Sequence, residues 1–170
     1  MRILNNKMIL LIVLAISLIG FSVTRAEETT NMHPQAKQIQ EIAITPSEMI
    51  WVDAPPGLPP GAKIAVLEGD PTKPGPYTIR LKTPANYKIP AHGHSQAERI
   101  TVIFGTFNIG MREKFDPAKG KALSAGSFYF LPANMHHFAW SDKGVVIQIN
   151  GNGPFDIDYI NPADNPTNKK

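Results

Sequence analysis

Apolar and polar positions are distributed in two different ways along this chain. Residues 8–23 form one nearly continuous apolar run of sixteen, preceded by Arg2 and Lys7 and followed by Thr24-Arg25-Ala26. The run is shorter than the roughly twenty residues a helix needs to span a bilayer. Its basic flank and small closing residues are what a signal peptidase reads, so residues 1–26 are expected to be a cleaved secretory signal, with an uncleaved anchor as the alternative. Beyond it, apolar residues come in short β-branched or aromatic runs: 49–52, 63–68, 77–82, 98–104, 106–112, 127–131, 137–140, 145–150 and 155–160. All sixteen prolines lie after the apolar run, and they cluster with glycine at 54–61 and 70–76, which excludes long helices there.

Many short strands separated by turn signals predict a sandwich or barrel. The expected fold is all-β, a small antiparallel jelly-roll β-barrel built as a single domain over residues 49–161. Residues 27–48 read as a polar tail that offers an edge strand near 42–51, and 162–170 as a loose end. Alternation assigns faces. Glu98 shares one with Ile100, Val102 and Phe104; Phe107, Ile109 and Met111 share another, opposite Asn108 and Arg112. Ile79 and Leu81 point inward with Arg80 outside, and Gln148 and Asn150 read as outward. The interior is therefore expected to be apolar around one polar cluster, the usual make-up of a small-ligand site.

Composition removes several classes of function. The 170 residues carry seventeen Lys and Arg against fourteen Asp and Glu, a net charge of +3. Arg2, Lys7 and Arg25 leave with the expected signal, so the mature chain balances at fourteen of each sign. Nothing in that balance suggests nucleic acid or an anionic membrane surface as partner. Cysteine is absent, so the chain has neither a disulfide framework nor a cysteine for lipid attachment.

Histidine carries the candidate chemistry. Four of the five histidines fall in His92-Gly93-His94 and His136-His137, while His33 stands alone in the polar tail, where a solvated residue is the expected reading. Residues i and i+2 of a strand face the same side roughly 7 Å apart, so His92 and His94 can converge on one ion. Glu98 keeps their parity, and a histidine from the later stretch can complete the set. The bland alternatives are a structural histidine pair and an exposed Glu98 paired with Arg99 or Arg112. Trp51 and Trp140 are read as core or turn packing, not as a substrate platform.

These stretches resemble the two motifs of the cupin superfamily, small β-barrels that hold a metal inside. His92, His94, Glu98 and Gly105 match the first motif in every spacing, and Gly126, Pro132 and His137 match the second. The resemblance implies His92, His94, Glu98 and His137 as ligands. It places His136 on the opposite face, as a residue behind the ligands, a proton-transfer group or a solvated side chain. Three positions depart from the pattern: Asn86 and Asn134 stand where the family has glycine, and Ser141 where it has asparagine. Asparagine is the residue after glycine that best tolerates positive φ, which accounts for the first two and not for Ser141.

The resemblance extends over about residues 51–161 and implies one divalent transition metal. Three imidazoles and a carboxylate suit Fe, Mn, Ni, Cu, Co or Zn, and leave two positions of an octahedron open. Family members include dioxygenases, decarboxylases and isomerases, so the resemblance implies a metal-dependent enzyme acting on a small-molecule substrate, often as a homodimer, and the expected signal at 1–26 makes it exported, periplasmic or secreted. A non-catalytic module binding a metal or metabolite is the alternative. No general base can be named, and a cavity without a second acid or base inclines the reading toward dioxygenase-like oxidoreductase chemistry.

Overall fold

Gly105 and Gly144 decide how the long strands bend. The computed structural model describes residues 41–169, so the expected signal at 1–26, His33 and most of the expected tail lie outside it. Eight strands follow in order: β1 (Val52–Asp53), β2 (Lys63–Glu68), β3 (Gly75–Gly93), β4 (Glu98–Gly110), β5 (Lys121–Ser124), β6 (Phe128–Leu131), β7 (His137–Gly153) and β8 (Asp158–Tyr159). All pairings are antiparallel, in the order β1-β2-β3-β7-β4-β5, with β6 also on β4 and β8 on β3. The expected all-β jelly roll is the observed fold.

Three strands are longer than the apolar runs suggested. The pairs 98–104 with 106–112 and 137–140 with 145–150 fuse into β4 and β7, and β3 continues from 77–82 through Pro84 and Pro90 to Gly93. The strands cross from one side of the barrel to the other at a common bend. Gly105 there has φ 81° and Gly144 φ 83°. A Cβ on Gly105 would meet the Gly144 carbonyl oxygen at 2.6 Å, and one on Gly144 the Thr83 oxygen at 2.9 Å, so both positions need glycine for the approach and for the backbone conformation.

The bend also corrects a face assignment. The register slips between Val102 and Phe104. Glu98, Ile100 and Val102 are buried as expected, but Phe104 turns outward at 68% exposure, and the inward parity of β4 resumes on Phe107 and Ile109. A bulge inserts one residue and so flips every side chain beyond it. Two further expectations change. The edge strand is Val52–Asp53, since 41–51 pair with no strand. Where a loose end was expected, Pro162–Asp164 and Pro166–Asn168 wind into 3-10 turns capped by Asn161 and Asn165. Lys121–Ser124 is a strand that its composition does not announce.

The core runs along the inner face, with Ile79, Leu81, Val102, Ile147 and Ile149 each at most 3% exposed. Arg80, Gln148, Asn150 and Thr78 form the outer face expected of them: Arg80 Nε donates to Gln148 Oε1 at 3.2 Å and Asn150 Nδ2 to Thr78 Oγ1 at 2.8 Å. Trp140 stacks on Phe138 with centroids 5.9 Å apart, and Lys82 Nζ lies 5.8 Å from the Trp51 ring, so both tryptophans are packing residues.

Candidate metal centre

Each of the four motif residues reaches the interior by a different local device. His92 follows a register slip between Ile89 and His92, where Pro90, which has no N–H for the ladder, sits in the bulge. The slip turns an even-numbered residue inward on a strand whose buried positions are otherwise odd. His137 opens β7 directly opposite His92. Glu98 opens β4, and His94 lies just past the end of β3, outside any strand. His92, His94, Glu98 and His137 are all buried, at 2%, 7%, 4% and 3% exposure, which excludes a solvent pair of Glu98 with Arg99 or Arg112.

The imidazoles converge. Among the described residues, His92, His94 and His137 form a group whose nitrogens lie within 4.8 Å of one another. Ring centroids are 4.1 Å apart for His92 and His137, 4.9 Å for His92 and His94, and 5.2 Å for His94 and His137. Each Nδ1 faces a backbone carbonyl: Pro90 O at 2.7 Å, Asp156 O at 2.5 Å and Met135 O at 3.2 Å, for His92, His94 and His137 respectively. A carbonyl can only accept, so these contacts put a proton on Nδ1 of each ring and leave Nε2 as the nitrogen that can meet an ion. That is how a protein orients metal-ligating imidazoles.

The electrostatics agree. Burial, with the neighbouring histidines, holds His92 well below the usual imidazole range. Burial and His94 bring His137 down to about 4. Both rings are therefore neutral at physiological pH, the form a metal requires. Burial pushes the Glu98 carboxyl up, with the nearby His94 opposing it. His94 Nε2 lies 3.4 Å from Glu98 Oε2, and Glu98 Oε1 is the buried side-chain polar atom left without a partner among the described residues. The three convergent imidazoles can hold one divalent transition ion. The Glu98 carboxylate is not a member of that convergent group but lies next to it, against His94, with one buried oxygen unpartnered.

The centre sits in a small, mostly apolar cavity of about 30 Å³, lined by Leu58, Leu81, Ile100, Phe107, Ile147 and Phe155 among others. A water molecule needs roughly 10–15 Å³, so the cavity holds one or two small molecules beside an ion. Leu58 enters it from the proline-rich 54–62 loop, whose carbonyls at Gly57 and Pro59 accept from the hydroxyls of Tyr159 at 2.9 Å and Tyr87 at 2.6 Å. Leu58 was detectable as the one apolar residue inside a Pro/Gly run. Asp156 and the carbonyls of Pro90 and Met135 leave no trace in a sequence, because any residue supplies a carbonyl.

His136 takes no part. It is exposed, with Nδ1 3.5 Å from Glu113 Oε1. The family departures also find places. Asn86 and Asn134 adopt φ 58° and 61°, the left-handed conformation glycine would supply. Ser141, 1% exposed, bonds Thr83 Oγ1 at 2.8 Å and donates to Pro84 O at 3.2 Å, tying β7 to β3 beside the bend.

The antiparallel jelly roll with these inward histidines has the fold of solved cupins. The fold matches the polyketide cyclase RemF from Streptomyces resistomycificus, with TM-score 0.62 and 13% identity over 75% of this chain and 90% of that one. It also matches a protein of Methylibium petroleiphilum provisionally assigned as an acetylacetone dioxygenase, with TM-score 0.58 and 19% identity over 77% and 88%. An RmlC-like cupin from Shewanella frigidimarina follows, with TM-score 0.51 and 17% identity over 66% and 91%. Within this fold the chain belongs to the DUF4437 family, a domain of unknown function, whose model matches residues 14–158. No curated protein matches the sequence.

Proposed function

We propose that this protein is a metal-dependent enzyme acting on a small organic substrate, with His92, His94, His137 and Glu98 as the ligands of one transition ion. The observation that carries this reading is the convergence of three buried imidazoles whose Nδ1 positions are all occupied, with the buried Glu98 carboxylate 3.4 Å from His94 Nε2. A divalent ion bound there supplies Lewis-acid polarisation or, if redox-active, dioxygen chemistry. The chain's own part is to present four donors on one side of the ion, keep the imidazoles neutral and exclude bulk water with Leu58 and Phe155. Beyond the ligands the named lining is apolar, without a second acid or base, which favours dioxygenase-like over hydrolytic chemistry. Fold neighbours named for a cyclase and a dioxygenase are consistent with it, although their identities of 13% and 19% carry only the fold.

A second reading, a module that binds metal without turnover, draws on the 30 Å³ cavity, which is too small for an organic substrate. Elemental analysis of protein purified without chelator or immobilised metal, beside His92→Ala, tests the first reading. About one Fe, Mn, Ni, Cu or Co per chain, lost in the variant, is expected; no metal, and none taken up on reconstitution, overturns it. Relaxation of bulk water by the Mn-loaded protein separates the two readings, since an enzyme must keep an exchangeable position on its ion. We further propose export through residues 1–26, checked by N-terminal sequencing of the exported form, expected to begin near Glu27.

A further inference from the structure

The three histidines are held in two different ways. His92 and His137 are each oriented by the carbonyl two residues earlier in the chain, Pro90 and Met135, so their orientation is local and comes with the strand. His94 lies outside a strand, and its Nδ1 is held by the carbonyl of Asp156, sixty-two positions away in the segment between β7 and β8. That segment has no ladder pairing of its own across 154–157.

Asp156 grips the histidine's neighbour as well. Its side-chain Oδ1 accepts from the Ser95 N–H at 2.9 Å, so one residue bonds the His94 ring through its backbone and the following peptide through its carboxylate. Phe155, next to it, stacks on the His94 ring at 5.7 Å and 29° and forms part of the cavity wall. Phe155 N–H is in turn held by Pro71 O at 2.6 Å, and the Asn134 N–H holds the His94 carbonyl at 2.8 Å. An imidazole on a loop rotates unless something outside the loop fixes it, and the hydrogen bond at Nδ1 and the stacked face of the His94 ring both come from Phe155-Asp156, while Glu98 meets its Nε2.

We infer that Asp156 is a positioning residue for His94, and that the Phe155-Asp156 segment ties closure of the cavity to the orientation of this one ligand. Swinging Phe155 away from the cavity withdraws the Asp156 carbonyl from Nδ1, so an open cavity has a free His94 and a closed cavity a fixed one. His92 and His137 stay oriented in both. The inference rests on the proposed metal reading for its consequence, and on the metal-free geometry alone for its cause.

The test reads cause and consequence separately. In metal-free protein, imidazole nitrogen NMR is expected to show His94 as the Nδ1–H form with slowed proton exchange. Asp156→Ala should give a mixed, fast-exchanging His94 signal with His92 and His137 unchanged, and Asp156→Asn, which keeps an acceptor at Oδ1, should restore it. In Co(II)-loaded protein, Asp156→Ala should release metal to a chelator about tenfold faster and change the visible ligand-field bands, with Asp156→Asn near the parent, in line with the usual effect of removing a residue that orients a ligand. A parent His94 already mixed or carrying its proton on Nε2, or an Asp156→Ala protein with unaltered His94 signal, overturns the inference whether or not that variant is stable. Failure of the parent to bind Co(II) while the NMR result holds would count against the metal reading alone.

Discussion

Two histidine–glutamate pairs in this protein have almost the same separation and opposite surroundings. His94 Nε2 and Glu98 Oε2 are 3.4 Å apart with side chains 6% and 5% exposed, whereas His136 Nδ1 and Glu113 Oε1 are 3.5 Å apart at 44% and 73%. The first pair has two further imidazoles beside it and a carboxylate oxygen with no partner; the second has water. Exposed ion pairs contribute little because solvent already satisfies both groups, while a buried donor without a partner must find one or bear the cost. Separation therefore does not define the centre. Burial does: His136, just before β7, is exposed, whereas His137, its neighbour in sequence and the first residue of β7, is buried.

The largest expected effect breaks the buried pair. Glu98→Gln or His94→Ala should reduce metal content per chain by more than about tenfold, while His136→Ala and Glu113→Ala leave it unchanged; equal losses in all four would erase the distinction between the pairs. Next, stripping the metal should lower thermal stability. An ion present at a hundredfold its Kd contributes about 2.7 kcal/mol, on the order of 10 °C in Tm for a domain of this size, read by calorimetry with and without chelator.

Acid should then act on the buried centre in metal-free protein. The His137 value lies below that of the unfolded chain, so the unfolded state takes up a proton first as pH falls from 6.5 to about 4, and stability present above pH 6.5 is lost through that window. His92, lowered in the same sense, adds to the loss. Glu98 works oppositely: its raised value contributes stability below pH 4.5 that is lost as pH rises through its folded value. Denaturation midpoints against pH should show the histidine slope, on the order of 3 kcal/mol for His137, and His137→Gln should flatten it. The smallest effect closes the comparison: His136→Ala or Glu113→Ala should shift unfolding free energy by less than about 0.5 kcal/mol.

The centre was unusually legible in the chain, and the reason is spacing. Motif spacing grouped His92, His94 and Glu98, but the two-residue strand period is not what brings them together. His92 turns inward through the slip after Ile89, His94 lies outside any strand and Glu98 opens another one. Asn86 and Asn134 were legible for a related reason, since their left-handed backbone is a local property of the residue. Ser141 was not. Its value lies in Thr83 and Pro84, almost sixty residues away, and no local feature of a serine names its partner. Phe104 was misassigned because alternation carries through a run only while the register holds, and the slip after Val102 arises from the crossing of β4 over β7. Lys121–Ser124 went unread because its pairing with Thr106–Ile109, not its composition, makes it a strand.

By itself the sequence determined the class of fold, the turns and the histidines of the two motifs, because these follow from backbone preferences and from motif spacing. Only the tertiary structure decided that β3, β4 and β7 run unbroken through a shared bend, that the Glu98 carboxylate is buried against His94, and that His94 is held by Asp156. Those depend on which strands lie against one another, and contacts between residues sixty positions apart follow from how the whole chain closes its barrel.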